Sequence, residues 1–486
     1  FAWLGVFSGS FSESAAAAVI DAPVSLTPTL RRLRSMSFLR PHPAEPDERF
    51  VWLETLRAFA LEHLAARGEN QLAQRRHAEW VLARAREAAE RLDGPDQAVW
   101  FDRLAHDHAN AQAALNWSAA HDRRLGLELS TALTLFWRSR GHIVTGRGWL
   151  GRLLSGEPWA DDVYGPALVS ASRLAWAHGD VEAARRSAED ALSVCARAEN
   201  EPAYAEALAL LGDLEGRVGE IDSARLHLDE ALRLCREHGL TAGEAEALHF
   251  LSRLATTQGD YSRGIELGLE SQTLYRRLGN PRKVAGQGLN LGVYAFEQGD
   301  YATALRLTTE SLAVFRQLGD LSGIAIALLN LGNSQRETGN LNGAHQSLTE
   351  AVAIERQRQG RALPAALGAL GEVQLADGDS DARASFAESL QLRLRSGDAN
   401  GLALMFELFG RWHYQAGRAD PAARLIGAAE ALRNTTGASL RPNRRAGHAA
   451  FIERVRRTLG NAAYDAAVTA GRALGREQAA ALALSE

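Results

Sequence analysis

The chain has 486 residues, 46% of them hydrophobic and 23% charged, with a formal net charge of −5. That length is too great for one ordinary globular core, and the charge gives no general attraction to nucleic acid or anionic membrane. No apolar run reaches the ~18–20 residues of a membrane span, so no membrane partner is expected. The opening Phe-Ala-Trp-Leu-Gly-Val-Phe lacks a basic leader and an initiator Met. It is read as the interior of a longer cytoplasmic protein, not as a signal peptide.

In chain order, residues 12–19 read as a helix. Leu26-Thr27-Pro28-Thr29 then opens a second helix over 30–39, with Pro near its first position. Phe38-Leu39-Arg40 and Arg49-Phe50-Val51-Trp52 flank a Pro-rich tip as in a β-hairpin, and 53–64 is a further helix. Helix, helix, hairpin and helix predict a small winged-helix domain over 1–65. Arg31, Arg32, Arg34 and Arg40 cluster around its second helix. Arginines bind phosphates and guanine edges, so DNA contact is one reading; the acidic net charge favours a solvated or domain-docking face. Residues 66–160 predict a helical linker and degenerate first repeats. Within them His106-Asp107-His108 is no metal site, since residues two apart on a helix diverge by about 200°.

From Gly179 the chain echoes itself. Gly179-Asp180, Gly219-Glu220, Gly259-Asp260, Gly299-Asp300 and Gly339-Asn340 recur at steps of 40 residues, and Gly378-Asp379 and Gly417-Arg418 follow one residue short of that step. Such a period marks a solenoid of stacked units. In one unit, helices over 202–218 and 221–238 are predicted on either side of Gly219-Glu220. Small residues recur at Gly212, Ser252, Gly292, Gly332 and Gly371 on first helices, and at Ala184, Ala224, Gly264, Ala304 and Ala344 on second helices. Positions this small allow close helix crossings. Helices over 443–459 and 462–484 are expected to cap the stack.

The two cysteines, Cys195 and Cys235, hold the same column in adjacent units. Stacked helices stand ~10 Å apart, beyond the ~7 Å of a disulfide, so buried free thiols are expected. The only lysine is Lys283, which rules out a G-x-x-x-x-G-K-[ST] phosphate loop. No nucleophile–base set stands out, and Asp161-Asp162 lies alone in a predicted loop. The chain is therefore read as non-enzymatic and without a cofactor of its own.

The Leu-Gly, Ala and Ala positions at spacings of 12 and 7 resemble the tetratricopeptide repeat over roughly 165–420. The resemblance implies an all-α tetratricopeptide-repeat solenoid over 161–420, preceded by the winged helix and followed by a helical cap over 421–486. In such solenoids first helices line the inner groove. There Asn290 and Asn330 are one period apart, and Asn333, His249, Arg253 and Arg336 share their face. These six are the candidate ligand-binding residues. The asparagines would hold a peptide backbone or, in the bland reading, bond neighbouring helices.

Three further stretches resemble one family. They are Arg49-Phe50 with Leu53-Glu54-Thr55-Leu56-Arg57, Trp100-Phe101-Asp102-Arg103-Leu104 with Ala113-Ala114-Leu115-x-Trp117, and Leu425-Ile426-Gly427-Ala428-Ala429-Glu430. They are similar, in order, to segments of bacterial signal-transduction ATPases with numerous domains (STAND), including LuxR-type transcriptional regulators. The resemblance implies an ATP-binding domain upstream and DNA contact only through a separate output domain. Leu53 stands where a nucleotide-sensing His would be, with Glu54 as the surviving acid. The expected role is a sensor and scaffold that binds a protein, peptide or small inducer. The alternatives are a stand-alone scaffold and the regulatory tail of a kinase or nucleotide cyclase.

Overall fold

The computed structural model describes residues 1–22, 25–42, 48–92, 94, 96–156, 162–436 and 440–485. Asp161 and residues 43–47 of the predicted hairpin tip lie outside them. The N-terminal unit contains helices Glu13–Ile20, Thr27–Ser35 and Glu54–Ala66 and strands β1 (Phe11–Ser12), β2 (Leu39–Pro41) and β3 (Arg49–Trp52). The strands form an antiparallel sheet in the order β1-β3-β2, with Phe11 opposite Phe50 and Leu39 opposite Trp52. The repeats are all-α as expected, and β1 extends the predicted hairpin of β2 and β3 into this small sheet. The helix predicted over 30–39 instead ends at Ser35, because Ser37 turns the chain at φ +60° and Leu39 is drawn into the core as a strand residue.

Helices Asn70–Arg91, Gln97–His106 and His108–His121 lead into a run of helix hairpins. Arg123–Arg140 pairs with Ile143–Leu154, and Tyr164–His178 with Val181–Arg197. Glu201–Val218 pairs with Ile221–Glu237, Thr241–Thr257 with Tyr261–Arg277, and Pro281–Glu297 with Tyr301–Leu318. Leu321–Glu337 with Leu341–Arg358, Leu363–Asp377 with Ala382–Ser396, and Ala399–Gln415 with Ala419–Thr436 complete the series.

The recurring Gly-Asp and Gly-Asn dipeptides explain the tight turns. The glycines adopt left-handed backbone, for example φ +94° at Gly179 and +86° at Gly259, where a Cβ is strained. The residue after the glycine caps the next helix at four of these turns: Asp180 accepts from Ala183 N–H, Asp260 from Arg263 N–H, Asp300 from Thr303 N–H and Asn340 from Gly343 N–H. Glu220 makes no such side-chain cap, its carboxylate being one methylene longer.

The small column on first helices packs against the second helix of the same hairpin. A Cβ on Gly332 would stand 2.5 Å from Leu348 Cγ, whereas one on Gly292 would meet Thr308 Oγ1 at 3.2 Å. Gly292→Leu is expected to cost about 1–3 kcal/mol, with Gly332→Leu at or above that range. Thermal denaturation of the two variants checks the ranking, and two unchanged melting temperatures would reject the crossing. Cys195 and Cys235 are buried free thiols, as the spacing requires.

A buried polar knot fastens the N-terminal unit to the helices after it. Arg49 Nη2 donates to Asp107 Oδ1 at 2.5 Å and to Ser10 O at 2.8 Å. Asn110 Oδ1 accepts from the backbone N–H groups of Ser8 and Gly9, while its Nδ2 donates to Ser10 O. His106-Asp107-His108 is thus organised around an ion pair, and no group of metal-ligating side chains occurs among the described residues.

The hairpin array curls until its beginning meets its middle. Arg361 N–H donates to Ala177 O at 3.3 Å, and Gln97 Nε2 donates to Asn280 Oδ1 at 2.9 Å. The turn at Gly141 sits beside Arg358, with 3.5 Å between Arg358 Cβ and the position a Cβ on Gly141 would take. The C-terminal segment has three helices where two were expected, because Gly475 restarts the chain between Asn461–Arg472 and Arg476–Leu484. Both pack on Ala419–Thr436 and close the end of the stack. Helix Pro442–Leu459 also packs on Ala419–Thr436 and in addition reaches back to helix Pro281–Glu297.

Candidate functional site

First helices of neighbouring hairpins pack against one another and form the inner wall of the curl. Their apolar residues are spent between helices, so the wall itself is polar. Its character follows the forty-residue column. Positions 173, 213 and 253 hold Arg, Asp and Arg in successive hairpins, which stacks opposite charges on one line. Asp213 pairs with Arg217 at 2.9 Å and with Arg253 at 2.5 Å. Arg173 bridges Glu206 and Glu246, both at 2.8 Å, and Lys283 Nζ reaches Glu246 at 3.1 Å. Burial opposes charge on Glu246, yet Arg173 and Lys283 hold its carboxyl well below the usual range.

Two indole contacts complete this half. The guanidiniums of Arg217 and Arg361 lie over Trp176, 4.7 Å and 4.1 Å from the ring centroid. Arg361 comes from the loop after Leu341–Arg358 and arrives only because the curl closes. Burial, helped by the Arg253 charge, lowers Arg217 to about 9 and Arg361 to about 10. Burial and the Arg282 charge lower Arg138, on the same wall, to about 10.

The other half of the wall is acidic and already covered. Helix Pro442–Leu459 and the residue before it lay Arg441 on Glu297 at 3.0 Å, Arg444 on Glu372 at 2.7 Å and His448 on Glu407 at 3.0 Å. Arg336 also pairs with Glu372, at 2.6 Å. The wall is therefore split by charge, with arginine in excess near Trp176 and carboxylates toward the C-terminal end.

The six predicted residues fall into two groups. His249 Nδ1 stands 2.5 Å from Gln287 Oε1 and 3.3 Å from Asn290 Nδ2. One ring nitrogen cannot both donate and accept, so the shorter contact makes Nδ1–H a donor to Gln287. His249, Arg253 and Arg336 are thus engaged within the protein, while the Asn290 amide lies beside a ring nitrogen that is turned to Gln287. Asn330 and Asn333 are half-buried, and among the described residues their side-chain amides have no hydrogen-bond partner. Trp176, Arg217 and Arg361 escaped the sequence reading. The forty-residue column through Arg253 also runs through Arg173 and Asp213, a signal the six candidates did not include, and no periodicity announces Arg361.

Burial holds three imidazoles neutral, with His77, His108 and His249 each lowered to about 4. Their folded pKa lies below the unfolded ~6.5, so the unfolded chain takes up protons first as pH falls. Stability is complete above pH ~6.5 and is lost progressively toward pH 4, with about 3 kcal/mol from the fully buried His77 alone. Urea denaturation across that range checks it, and His77→Phe should flatten the slope.

A cleft of ≈ 610 Å³ lies among Ile143–Leu154, Tyr164–His178 and Val181–Arg197, lined by Leu150, Leu154 and Leu168 with Arg147 and Arg197. No described helix is long and apolar enough to cross a membrane.

Comparison with known proteins agrees with this architecture. A tetratricopeptide-repeat family model matches residues 284–357. Proteins named as HTH-type transcriptional regulators in Mycobacterium bovis and Mycobacterium tuberculosis are 28% identical over 162 residues, 32% of this chain and 18% of their own length. The chain thus matches under a fifth of those relatives. A STAND protein with a tetratricopeptide repeat sensor from Pyrococcus horikoshii superposes at TM-score 0.51 and 14% identity, covering 97% of this chain and 64% of that one. A Rap protein crystallised with competence and sporulation factor superposes at 0.54 and 13% identity, covering 74% of this chain and 99% of that one. The fold is a tetratricopeptide-like helical solenoid.

Proposed function

We propose that this chain is the non-catalytic sensor and scaffold part of a signalling ATPase-type transcriptional regulator, and that its inner wall binds a protein, peptide or small inducer. The observation that carries the reading is the wall itself. A closed curl presents polar side chains inward, and Asn330 and Asn333 keep unpaired amides on it. The N-terminal helices and three-stranded sheet would act as a winged helix against an upstream nucleotide domain, with DNA contact left to an output domain. The likeness to the STAND sensor architecture and to HTH-type regulators supports this assignment. A ligand shifts such a regulator only through unequal affinity for its two states.

A transcriptional reporter driven by the full-length protein tests the reading. Asn330→Ala with Asn333→Ala is expected to abolish or strongly shift induction at unchanged protein level, since neither amide supports the fold. Unaltered induction would remove the wall from the signalling path. Titration of the purified chain with ATP should give no heat beyond that of the same titration with inorganic triphosphate, and micromolar binding specific to ATP would contradict a nucleotide site confined to an upstream domain.

A further inference from the structure

The arginine-rich half of the wall has an unbalanced charge. Around Trp176 three guanidiniums, those of Arg217, Arg253 and Arg361, meet one carboxylate, Asp213. Arg217 and Arg253 share its two oxygens, which leaves none for Arg361. Among the described residues Arg361 has no carboxylate partner, and its contacts are the Trp176 ring and a backbone bond to Ala177. Further along the wall Arg138 and Arg282 also lack a carboxylate partner among the described residues, and the buried Arg282 Nε has no hydrogen-bond acceptor. Like charges gathered on a partly desolvated wall repel, and a structure keeps them together at a cost unless something anionic joins them. The side chains of Arg217 and Arg253 remain 26% and 18% exposed, so the cluster is enclosed yet open to solutes.

We infer that the Trp176 cluster is a binding site for a small polyanion, one whose phosphate or carboxylate oxygens are taken by Arg217, Arg253 and Arg361. Planar guanidinium forks match both groups in paired hydrogen bonds. The indole fixes two of the forks by stacking, which reduces the ordering required on binding. Arg361 is supplied by a hairpin far along the chain and is held to Ala177 by its own backbone. Occupancy of the site and closure of the curl are therefore coupled: the ligand neutralises a charge that otherwise pushes the closing loop outward. This inference deepens the sensor reading and rests on it for its biological meaning, but not for its physical content.

Calorimetric titration of the purified chain with inorganic pyrophosphate and, separately, with citrate provides the test. At least one is expected to bind saturably with one site. Binding of pyrophosphate alone identifies a phosphate ligand, and binding of citrate alone a carboxylate one. Arg361→Gln should weaken the bound anion by about 10-fold or more. The melting temperature of this variant without ligand should be unchanged or higher, because the lost guanidinium had no carboxylate partner. Arg233→Gln, on the exposed surface of Ile221–Glu237, should bind like wild type. No saturable heat with either anion up to about 10 mM, or equal affinity in Arg361→Gln, would overturn the site. The reporter experiment is independent: loss of anion binding with intact sensitivity at Asn330 and Asn333 removes only this inference.

Discussion

Asp107→Ala is expected to destabilise the protein by about 3–5 kcal/mol, because it strands the Arg49 guanidinium in a buried position. Both side chains are under 10% exposed. Arg49 would keep its bonds to Ser10 but lose its only anionic partner in the knot. The knot also carries the peptide groups of Ser8 and Gly9 on Asn110, so the damage should spread to the whole junction between the N-terminal unit and the helices after it. Urea denaturation measures the loss. Arg49→Met combined with Asp107→Leu should recover much of it, since replacing both members of a buried pair removes the unpaired charge. A loss below about 1 kcal/mol in the single variant would mean that the pair is effectively solvated.

Gly427→Val should free the end of the stack. A Cβ on Gly427 would lie 2.2 Å from Val468 O, and one on Gly471 would lie 2.0 Å from Arg424 O. These contacts are backbone to backbone, so no side chain can rotate away, and the cost should reach or exceed the ~1–3 kcal/mol of ordinary overpacking. Helix Asn461–Arg472 is expected to leave Ala419–Thr436, exposing Tyr464, Ala467 and Val468. Limited trypsin digestion should then cut the segment around Arg456–Arg472 much faster. Gly447→Ala is the control, because nothing lies within 4 Å of a Cβ there. The same digestion rate in Gly427→Val and wild type would reject the close crossing. This crossing also gives a physical reason for the Leu-Ile-Gly-Ala-Ala-Glu stretch over 425–430, in which only glycine permits the approach.

Sequence and structure agree where a local rule repeats. The Gly-Asp and Gly-Asn pairs set turn and cap together, so helix limits such as Glu201–Val218 fall within a residue of the expected ones. Phe50 and Trp52 alternate toward the core, so the hairpin was legible. β1 was not, because two residues carry no alternation. On the wall, Asn290 and Asn330 announced themselves by their period, yet periodicity does not say whether an amide is already bonded. The Asn290 amide lies 3.3 Å from His249 Nδ1, which is turned to Gln287, and the Asn330 side-chain amide has no partner among the described residues. The apposition of Trp176 and Arg361 had no local signal, since it depends on the summed curvature of every hairpin between them. The fold-back of Pro442–Leu459 is similar: its basic residues were visible in the sequence, but their carboxylate partners lie on three separate helices.

Open solenoids tolerate insertion or loss of a unit, since each touches only its neighbours. This one does not have that freedom. Gln97 with Asn280 and Ala177 with Arg361 are keyed to a fixed number of intervening hairpins. Deleting a single forty-residue block would carry each partner past its mate by one step, so the count of hairpins between them is itself part of the specification.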